Sequence, residues 1–340
     1  MQRPLFRFAA IALSSPVWLA AQSTPIAQPA KPPDILPHAI QFVPVDKDVK
    51  LEVLDWGGHG RPLIFLAGLG FDAHVYDSFA PRLVSAYHVY GITRRGFGAS
   101  STPKPDCGNY SADRLGDDIL AVIDALNIER PVLIGHSLGG EELSSLGTRF
   151  PDRVAGLIYL DAGYGYAYYD VSAPDGDPSV DTGVLRRELE DLISPVSPRQ
   201  HRAQIEHVLN VTIPRVQRDL QKVDQQLQDV PDDKPMPPMP PFVQYAVAIQ
   251  RSVQSYAGVK CPTLAIFALP HKIPAEGMTP DAHAARVAED LAQTGAQADA
   301  FQKGNPSARV VRLPNADHFV FRSNEDDVLR EMNTFLATLP

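Results

Sequence analysis

Residues 131–140, with the sequence PVLIGHSLGG, decide how this chain folds. The apolar run 131–135 is typical of a strand covered on both faces, and a helical pattern follows the second glycine. Ser137 therefore stands between glycines at a turn from a strand into a helix, which is G-x-S-x-G in its expected context. Such a turn lifts the hydroxyl clear of the sheet and directs the backbone N–H of Leu138 towards a developing oxyanion. We predict that Ser137 is a nucleophile.

Short apolar runs alternate with helical patterns on both sides of this turn, which predicts a mostly parallel sheet flanked by helices. Residues 110–126 have the pattern of an amphipathic helix with Ser111 as its N-cap, and residues 326–339 that of a closing helix. The predicted strands are residues 62–67, 88–93, 131–135, 154–161, 262–268 and 308–313.

The alternation breaks between residues 163 and 256, which we predict to be a helical lid inserted between two strands. A separate helical domain with no bearing on the site is the alternative. The tyrosine-rich stretch 163–169 suits either a substrate pocket or packing of the lid onto the core. The lid is expected to contain helices over 181–193, 198–229 (kinked or divided at Pro214) and 242–256, with a proline-rich linker over 231–241.

The N-terminus has the features of an export signal. Two arginines precede a short apolar stretch and small residues, so residues 1–21 are predicted to be a cleaved signal peptide. A membrane anchor or a disordered leader is the alternative. Residues 22–37 are predicted to be a Pro/Ala-rich leader, with the core over 38–162 plus 257–340. We therefore expect a periplasmic or secreted protein.

The composition argues against a nucleic-acid-binding function. The 340 residues include 40 acidic and 31 basic side chains, a net charge of −9, without the basic cluster that nucleic-acid binding needs. No apolar run reaches the length of a membrane span. Of the two cysteines, Cys107 is expected near the carboxyl edge of the sheet and Cys261 near the opposite edge, which argues against a disulfide.

Three further motifs accompany the serine turn: LAGLG at 66–70, RGFGAS at 95–100 and NADHF at 315–319. With them the chain, from about residue 51 to its end, resembles the α/β-hydrolase family, in its serine hydrolase or esterase branch with a helical lid. The resemblance implies an oxyanion hole built from the backbone N–H groups of Leu69 and Leu138, although Ala67 replaces the family's usual histidine. It also implies that His318 is the base.

The acid of the catalytic triad departs from the family pattern, because the segment after the penultimate predicted strand, 267–271, contains no carboxylate. Asp161, at the end of another strand, is our first candidate to orient the base, since some lipases of this fold place the acid there. Glu141 and Glu142, in the first turns of the helix after the serine, are the alternatives. The alternative for Asp161 is a structural aspartate, and the alternative for Glu141 and Glu142 is that both are solvated surface acids. Asp317 is disfavoured because adjacent residues seldom point together.

These residues together predict a serine hydrolase that cleaves small-molecule carboxylic esters through an acyl-enzyme, without a cofactor or a metal. By resemblance, a serine at the turn argues against the dehalogenase and epoxide-hydrolase branches, which use an aspartate. A peptidase or a carbon–carbon bond hydrolase with the same nucleophile is one alternative. A catalytically silent binder of a small molecule or protein is the other, and its support is the missing acid.

Overall fold

The computed structural model describes residues 38–162, 197–227, 241–250 and 258–340, together with four isolated positions between 185 and 192. The predicted signal peptide, the leader and the tyrosine-rich stretch lie outside the described residues, as do most of the helix predicted over 181–193 and the linker over 231–240. The described residues form two compact units, one of them within 197–227 and the other comprising the remaining three ranges.

The second unit is built on one eight-stranded sheet with the strand order β1-β2-β4-β3-β5-β6-β7-β8. β1 pairs antiparallel with β2, and β2 antiparallel with β4, whereas all other neighbours are parallel. The strands are β1 (Ala39–Asp46), β2 (Val49–Gly57), β3 (Pro62–Leu66), β4 (His88–Ile92), β5 (Val132–His136), β6 (Gly156–Leu160), β7 (Thr263–Ala268) and β8 (Arg309–Leu313).

Helices of the second unit cover both faces of this sheet, whereas the helices within residues 197–227 belong to the first unit. Short 3₁₀ turns occupy Ala73–Tyr76, Ala80–Arg82 and Pro151–Arg153, and a π-helical turn Val208–Thr212. The α-helices are α1 (Cys107–Tyr110), α2 (Ala112–Ala125), α3 (Gly139–Arg149), α4 (Pro198–His207), α5 (Ile213–Leu227), α6 (Pro241–Gln250), α7 (Pro280–Gly304), α8 (Val320–Ser323) and α9 (Glu325–Leu336).

The apolar core has two layers, because β3, β5, β6 and β7 are buried on both faces. On one face, aromatic residues such as Phe65 and Phe321 pack with α9. On the other face, Leu143 of α3 and Phe301 of α7 pack on the sheet with residues of α2. This double coverage explains why these strands are continuous apolar runs in the sequence.

All six predicted strands are present, each within two residues of the expected ends, and the sheet is mostly parallel as predicted. The predicted helices at 110–126 and 326–339 correspond to α2 and α9, and the Ser111 hydroxyl caps α2 by accepting from the Arg114 N–H. The β1–β2 hairpin and the 25-residue α7 were not predicted. β1 lies at the sheet edge with most residues partly or fully exposed, so its sequence lacks a buried run.

The predicted helix over 198–229 is divided into α4 and α5 by the π-helical turn, and Pro214 is the second residue of α5. This agrees with the expected kink or division, because proline removes a helical hydrogen bond. The third predicted helix corresponds to α6, which belongs to the same compact unit as the sheet. The exact limits of the lid stay a prediction.

Cys261 is a free, buried thiol, as the strand order suggested. Within the described ranges, every helix is too short or too polar to cross a membrane.

Candidate active site

Ser137 occupies the sharp turn between β5 and α3. Its φ is +52°, a left-handed backbone conformation that costs an ordinary residue roughly 1–3 kcal/mol. The Ser137 N–H donates to the Leu160 carbonyl at 3.3 Å, and its own carbonyl accepts from the Gly140 N–H at 3.0 Å. The strained turn predicted from G-x-S-x-G is therefore present and is held from both sides.

Two glycines allow other backbone to approach this turn. A Cβ at Gly140 would lie 2.1 Å from the Ala162 carbonyl oxygen, so α3 can pack against the end of β6 only without a side chain there. A Cβ at Gly68 would lie 3.1 Å from the Ser137 Cβ and 3.0 Å from the His136 Nδ1. The loop after β3 thus lies directly against the serine turn.

The residues predicted to form the oxyanion hole meet at one apolar cluster. Leu138 is buried there beside Phe97, Ala248 and Ile249, and Leu69 packs against the same cluster. Leu138 also precedes the first residue of α3, where helical N–H groups are free to bind negative charge. The structure therefore brings Leu69 and Leu138 together next to Ser137, with apolar side chains of α6 alongside.

His318 follows β8, and its Nδ1 lies 2.7 Å from Asp161 Oδ2. Asp161 follows β6 directly and has a φ of +48°. Its N–H donates to the Ile266 carbonyl at 2.7 Å, and its Oδ1 accepts from the Ala268 N–H at 2.9 Å. Two strands thus fix the carboxylate in place. Because a carboxylate accepts, the Nδ1 of His318 carries the proton, which leaves its Nε2 as a base.

His136 joins the serine turn to the loop of the base. Its Nε2 lies 3.0 Å from the His318 carbonyl oxygen, to which it must donate. The two imidazole rings lie 4.5 Å apart between centroids. Burial, followed by the neighbouring His318, holds the pKa of His136 well below its ordinary value, so this ring is neutral. The residue directly before Ser137 therefore positions the backbone of His318.

A second imidazole contacts the same carboxylate. His271 Nε2 lies 2.9 Å from Asp161 Oδ2. Burial alone would raise the pKa of Asp161, but hydrogen bonds with His271 and His318 outweigh it, and the pKa is held well below the ordinary value. Asp161 is thus a permanent carboxylate in the folded protein at neutral pH.

The two alternative acids lie on α3 and are both buried rather than solvated. Glu142 forms a two-pronged ion pair with Arg94, at 2.5 Å and 2.7 Å, and Glu141 lies within the electrostatic reach of the same guanidinium. Since an imidazole has only one Nδ1, and that of His318 bonds Asp161, Asp161 is the candidate placed to orient the base. Glu142 is instead the ion-pair partner of Arg94.

Arg94 also donates from Nη2 to the Ala67 carbonyl at 2.8 Å, which ties the loop after β3 to α3. Sequence reasoning missed Arg94, His136, His271 and Asp290. The sequence contained a local signal for two of the four. His136 lies within the G-x-S-x-G motif, and two adjacent glutamates on a half-buried helix indicate a charged partner, which is Arg94. The other two are identified only by contacts distant in sequence.

Some side chains could in principle hold a metal ion. In the described part of the chain, His38, His74 and Asp77 bring donor atoms within 4.8 Å of one another, as do Asp161, His271 and His318. In the second group, Nε2 of His271 and Nδ1 of His318 already hydrogen bond the Asp161 carboxylate. The second group is therefore a hydrogen-bonded network.

The arrangement of a serine turn between β5 and α3, an oxyanion loop after β3 and a histidine after β8 defines a class of hydrolytic fold. The model of the alpha/beta hydrolase family matches residues 63–331. The chain belongs to the alpha/beta hydrolase family.

Curated relatives match over parts of their length. Fluoroacetate dehalogenase from Burkholderia sp. is 36% identical over 107 residues, 31% of this chain and 35% of the relative. 3-Oxoadipate enol-lactonase 2 from Acinetobacter baylyi is 36% identical over 113 residues, 33% of this chain and 41% of the relative. The chain thus spans less than half the length of these relatives.

Solved structures share the fold over most of the chain. Est816, described as an N-acyl homoserine lactone degrading enzyme, superposes with a TM-score of 0.54 at 21% identity. The superposition covers 87% of this chain and 100% of the Est816 chain. E-2-(acetamidomethylene)succinate hydrolase superposes with a TM-score of 0.52 at 20% identity, covering 89% of this chain and all of its own. These similarities concern the fold.

Proposed function

We propose that this protein is a serine hydrolase that cleaves carboxylic esters through an acyl-enzyme. The observation that carries the proposal is the 2.7 Å hydrogen bond between His318 Nδ1 and the buried Asp161, in a loop held beside the serine turn. A base with a fixed tautomer next to a strained, positive-φ serine is the arrangement that acyl transfer requires.

In this mechanism the Ser137 Oγ attacks the ester carbonyl carbon while the Nε2 of His318 accepts the hydroxyl proton. Asp161 stabilises the imidazolium that forms, without taking up the proton itself. The N–H groups of Leu69 and Leu138 stabilise the oxyanion. His318 then returns the proton to the leaving alcohol, and a water molecule activated by the same base releases the acid and regenerates Ser137.

The apolar cluster beside the oxyanion residues supports an acyl group with an apolar body. Tyr245 and Ile249 of α6, together with Phe97, line the same side of the site as Leu69. Apolar and aromatic walls with few polar groups are typical of small-molecule pockets. Lactones are included as candidate substrates because the enol-lactonase from A. baylyi is among the relatives.

The proposal extends to a role of the predicted lid at the site and to export of the protein. α6 lies within the predicted lid, and its Ala248 and Ile249 contact the cluster that contains Leu138. We propose that α6, as part of the lid predicted over residues 163–256, borders the acyl pocket and contributes to substrate choice. The predicted signal sequence over residues 1–21 supports export, and hence small ester substrates met outside the cytoplasm.

The alternatives named from the sequence are weighed by the same geometry. The silent binder rested on a missing acid, whereas the hydrogen bond between Asp161 and His318 supports an acid in that role. A peptidase or a carbon–carbon bond hydrolase would use the same three side chains, so substrate assays must separate them.

Labelling with a fluorophosphonate probe tests the nucleophile directly. We expect wild-type protein to be labelled, and Ser137→Ala to lose both the label and activity, by at least about a thousandfold in kcat. Ser144→Ala, which alters another buried serine of α3, is the matched control and should still be labelled. Folded wild-type protein that takes up no label would overturn the proposal in favour of the silent binder.

The substrate class is tested with a panel of p-nitrophenyl esters of graded acyl length, aliphatic lactones, anilides and vinylogous 1,5-diketones. We expect esters or lactones to give the highest kcat/KM. A higher kcat/KM on the anilides would favour the peptidase, and on the diketones the carbon–carbon bond hydrolase.

A further inference from the structure

His271 lies at the carboxyl edge of the sheet, three residues after β7, in the segment where the sequence lacked the expected carboxylate. It forms an isolated parallel bridge with Ala316, and the Lys272 N–H donates to the Ala316 carbonyl at 2.9 Å. Since Ala316 stands two residues before His318, the loop that carries His271 runs alongside the loop of the base.

Both ring nitrogens of His271 face carboxylates. Nε2 lies 2.9 Å from Asp161 Oδ2, and Nδ1 lies 2.9 Å from Asp290 Oδ1 on α7. Asp290 Oδ2 also accepts the backbone N–H of His271 at 2.8 Å, so one carboxylate holds both the ring and the main chain. A neutral imidazole has one N–H donor only. Two carboxylate partners therefore require the doubly protonated, positively charged ring.

The electrostatics agree with this geometry. Burial opposes charge on His271, but the hydrogen bonds with Asp161 and Asp290 outweigh burial and raise its pKa to about 10. The pKa of Asp290 is lowered in turn, because its bonds with His271 outweigh its own burial. The cation and the base thus contact the same oxygen of Asp161, with 6.3 Å between the centroids of the two imidazole rings.

We propose that His271 is a positioning residue for this hydrolase: it donates to the same Asp161 oxygen that accepts from His318, and its positive charge disfavours a second positive charge on the neighbouring base. The inference rests on the proposed function. Like charges a few ångströms apart repel, so the cation opposes formation of a second imidazolium in the same hydrogen-bonded network.

Other charged groups near the two imidazoles do not replace this effect. His136 is neutral and contacts the His318 backbone, and Arg322 of α8 stacks over Phe319 while donating to a carbonyl of the 3₁₀ turn at residues 73–76. On α7, Thr294 donates to Asp290, and His283 bonds the Ile273 carbonyl. Lys272, the next residue, is exposed to solvent.

The test is the pH dependence of kcat/KM on the best ester, together with the pH dependence of fluorophosphonate labelling at Ser137. In His271→Gln the amide can still donate to Asp161, but the charge is gone. We expect activity within about threefold of wild type on the alkaline plateau, with the acid limb of both profiles moved to higher pH. A loss of packing alone would lower the plateau without moving the limb.

Asp290→Asn provides a second route if His271→Gln does not fold, because it removes the carboxylate that holds Nδ1 and the backbone N–H of His271 and should therefore displace the acid limb of both profiles. His283→Gln, on the same helix, is the matched control and should leave both profiles unchanged. Acid limbs that coincide in wild type and both variants, with Ser137 still labelled, would overturn the role of His271 alone. Loss of labelling in wild type would instead overturn the proposed function.

Discussion

The carboxyl end of β6 and the first turn of α3 each carry a buried carboxylate, and the two regions treat its charge in opposite ways. At β6, hydrogen bonds with two imidazoles outweigh burial and lower the pKa of Asp161. At α3, burial outweighs the ion pair with Arg94 and raises the pKa of Glu142. Both side chains are nearly inaccessible to solvent, so burial alone does not explain the difference.

The hydrogen-bond partners of the two carboxylates explain why their pKa values are shifted in opposite directions. Asp161 receives donors from three directions, namely His318, His271 and the Ala268 N–H. Glu142 has one charged partner, the Arg94 guanidinium, which cannot lose its proton. A carboxylate that must stabilise a base as it gains a proton needs a partner whose charge can change. Asp161 has such a partner and Glu142 does not.

The largest expected effect comes from Asp161→Asn. The amide can present an N–H to His318, which favours the wrong tautomer of the base, so we expect kcat to fall by about 10⁴ with the fold intact. Ester hydrolysis and circular dichroism measure the two quantities. Asp317→Asn changes an exposed acid directly beside the base and should stay within about threefold of wild type. Near-full activity of Asp161→Asn would show that another group orients His318.

Glu142→Gln is expected to act on stability first. It leaves the buried Arg94 charge without its counter-ion, which costs about 3–5 kcal/mol of unfolding free energy in denaturant titration. Replacing both partners, as Arg94→Met with Glu142→Met, should recover most of this loss. Glu325→Gln, in the exposed pair with Arg82, is the control and should cost less than about 1 kcal/mol. Equal losses in the two single variants would contradict the difference between buried and exposed pairs.

A smaller effect should appear in the pH dependence of stability. Because the pKa of His271 is raised to about 10, its charged form stabilises the fold fully below its ordinary pKa of about 6.5, and this stabilisation is lost as the pH rises towards 10. The difference in unfolding free energy between wild type and His271→Gln should therefore shrink by about 4 kcal/mol from pH 6 to pH 10. Urea titrations at several pH values measure it, and a constant difference would argue against a charged His271.

Sequence patterns located most of the sheet because buried parallel strands are continuous apolar runs. The exposed edge strand β1 has no such run, and the uneven apolar pattern of α7 gave no signal at all, so both were missed. Ser137 and His318 were identifiable because the serine turn needs glycines at fixed offsets and because the family resemblance placed the base after the last strand. The two oxyanion leucines followed from the same motifs.

The sequence by itself determined the serine turn and the positions of the buried strands along the chain, because each depends on residues within a few positions of one another. The tertiary structure decided which carboxylate bonds His318. Asp161 and His318 are 157 residues apart, and His271 lies between them in sequence while contacting the same oxygen of Asp161. Hydrogen bonds at the edge of a parallel sheet join the ends of different strands, so no local pattern of residues specifies their partners.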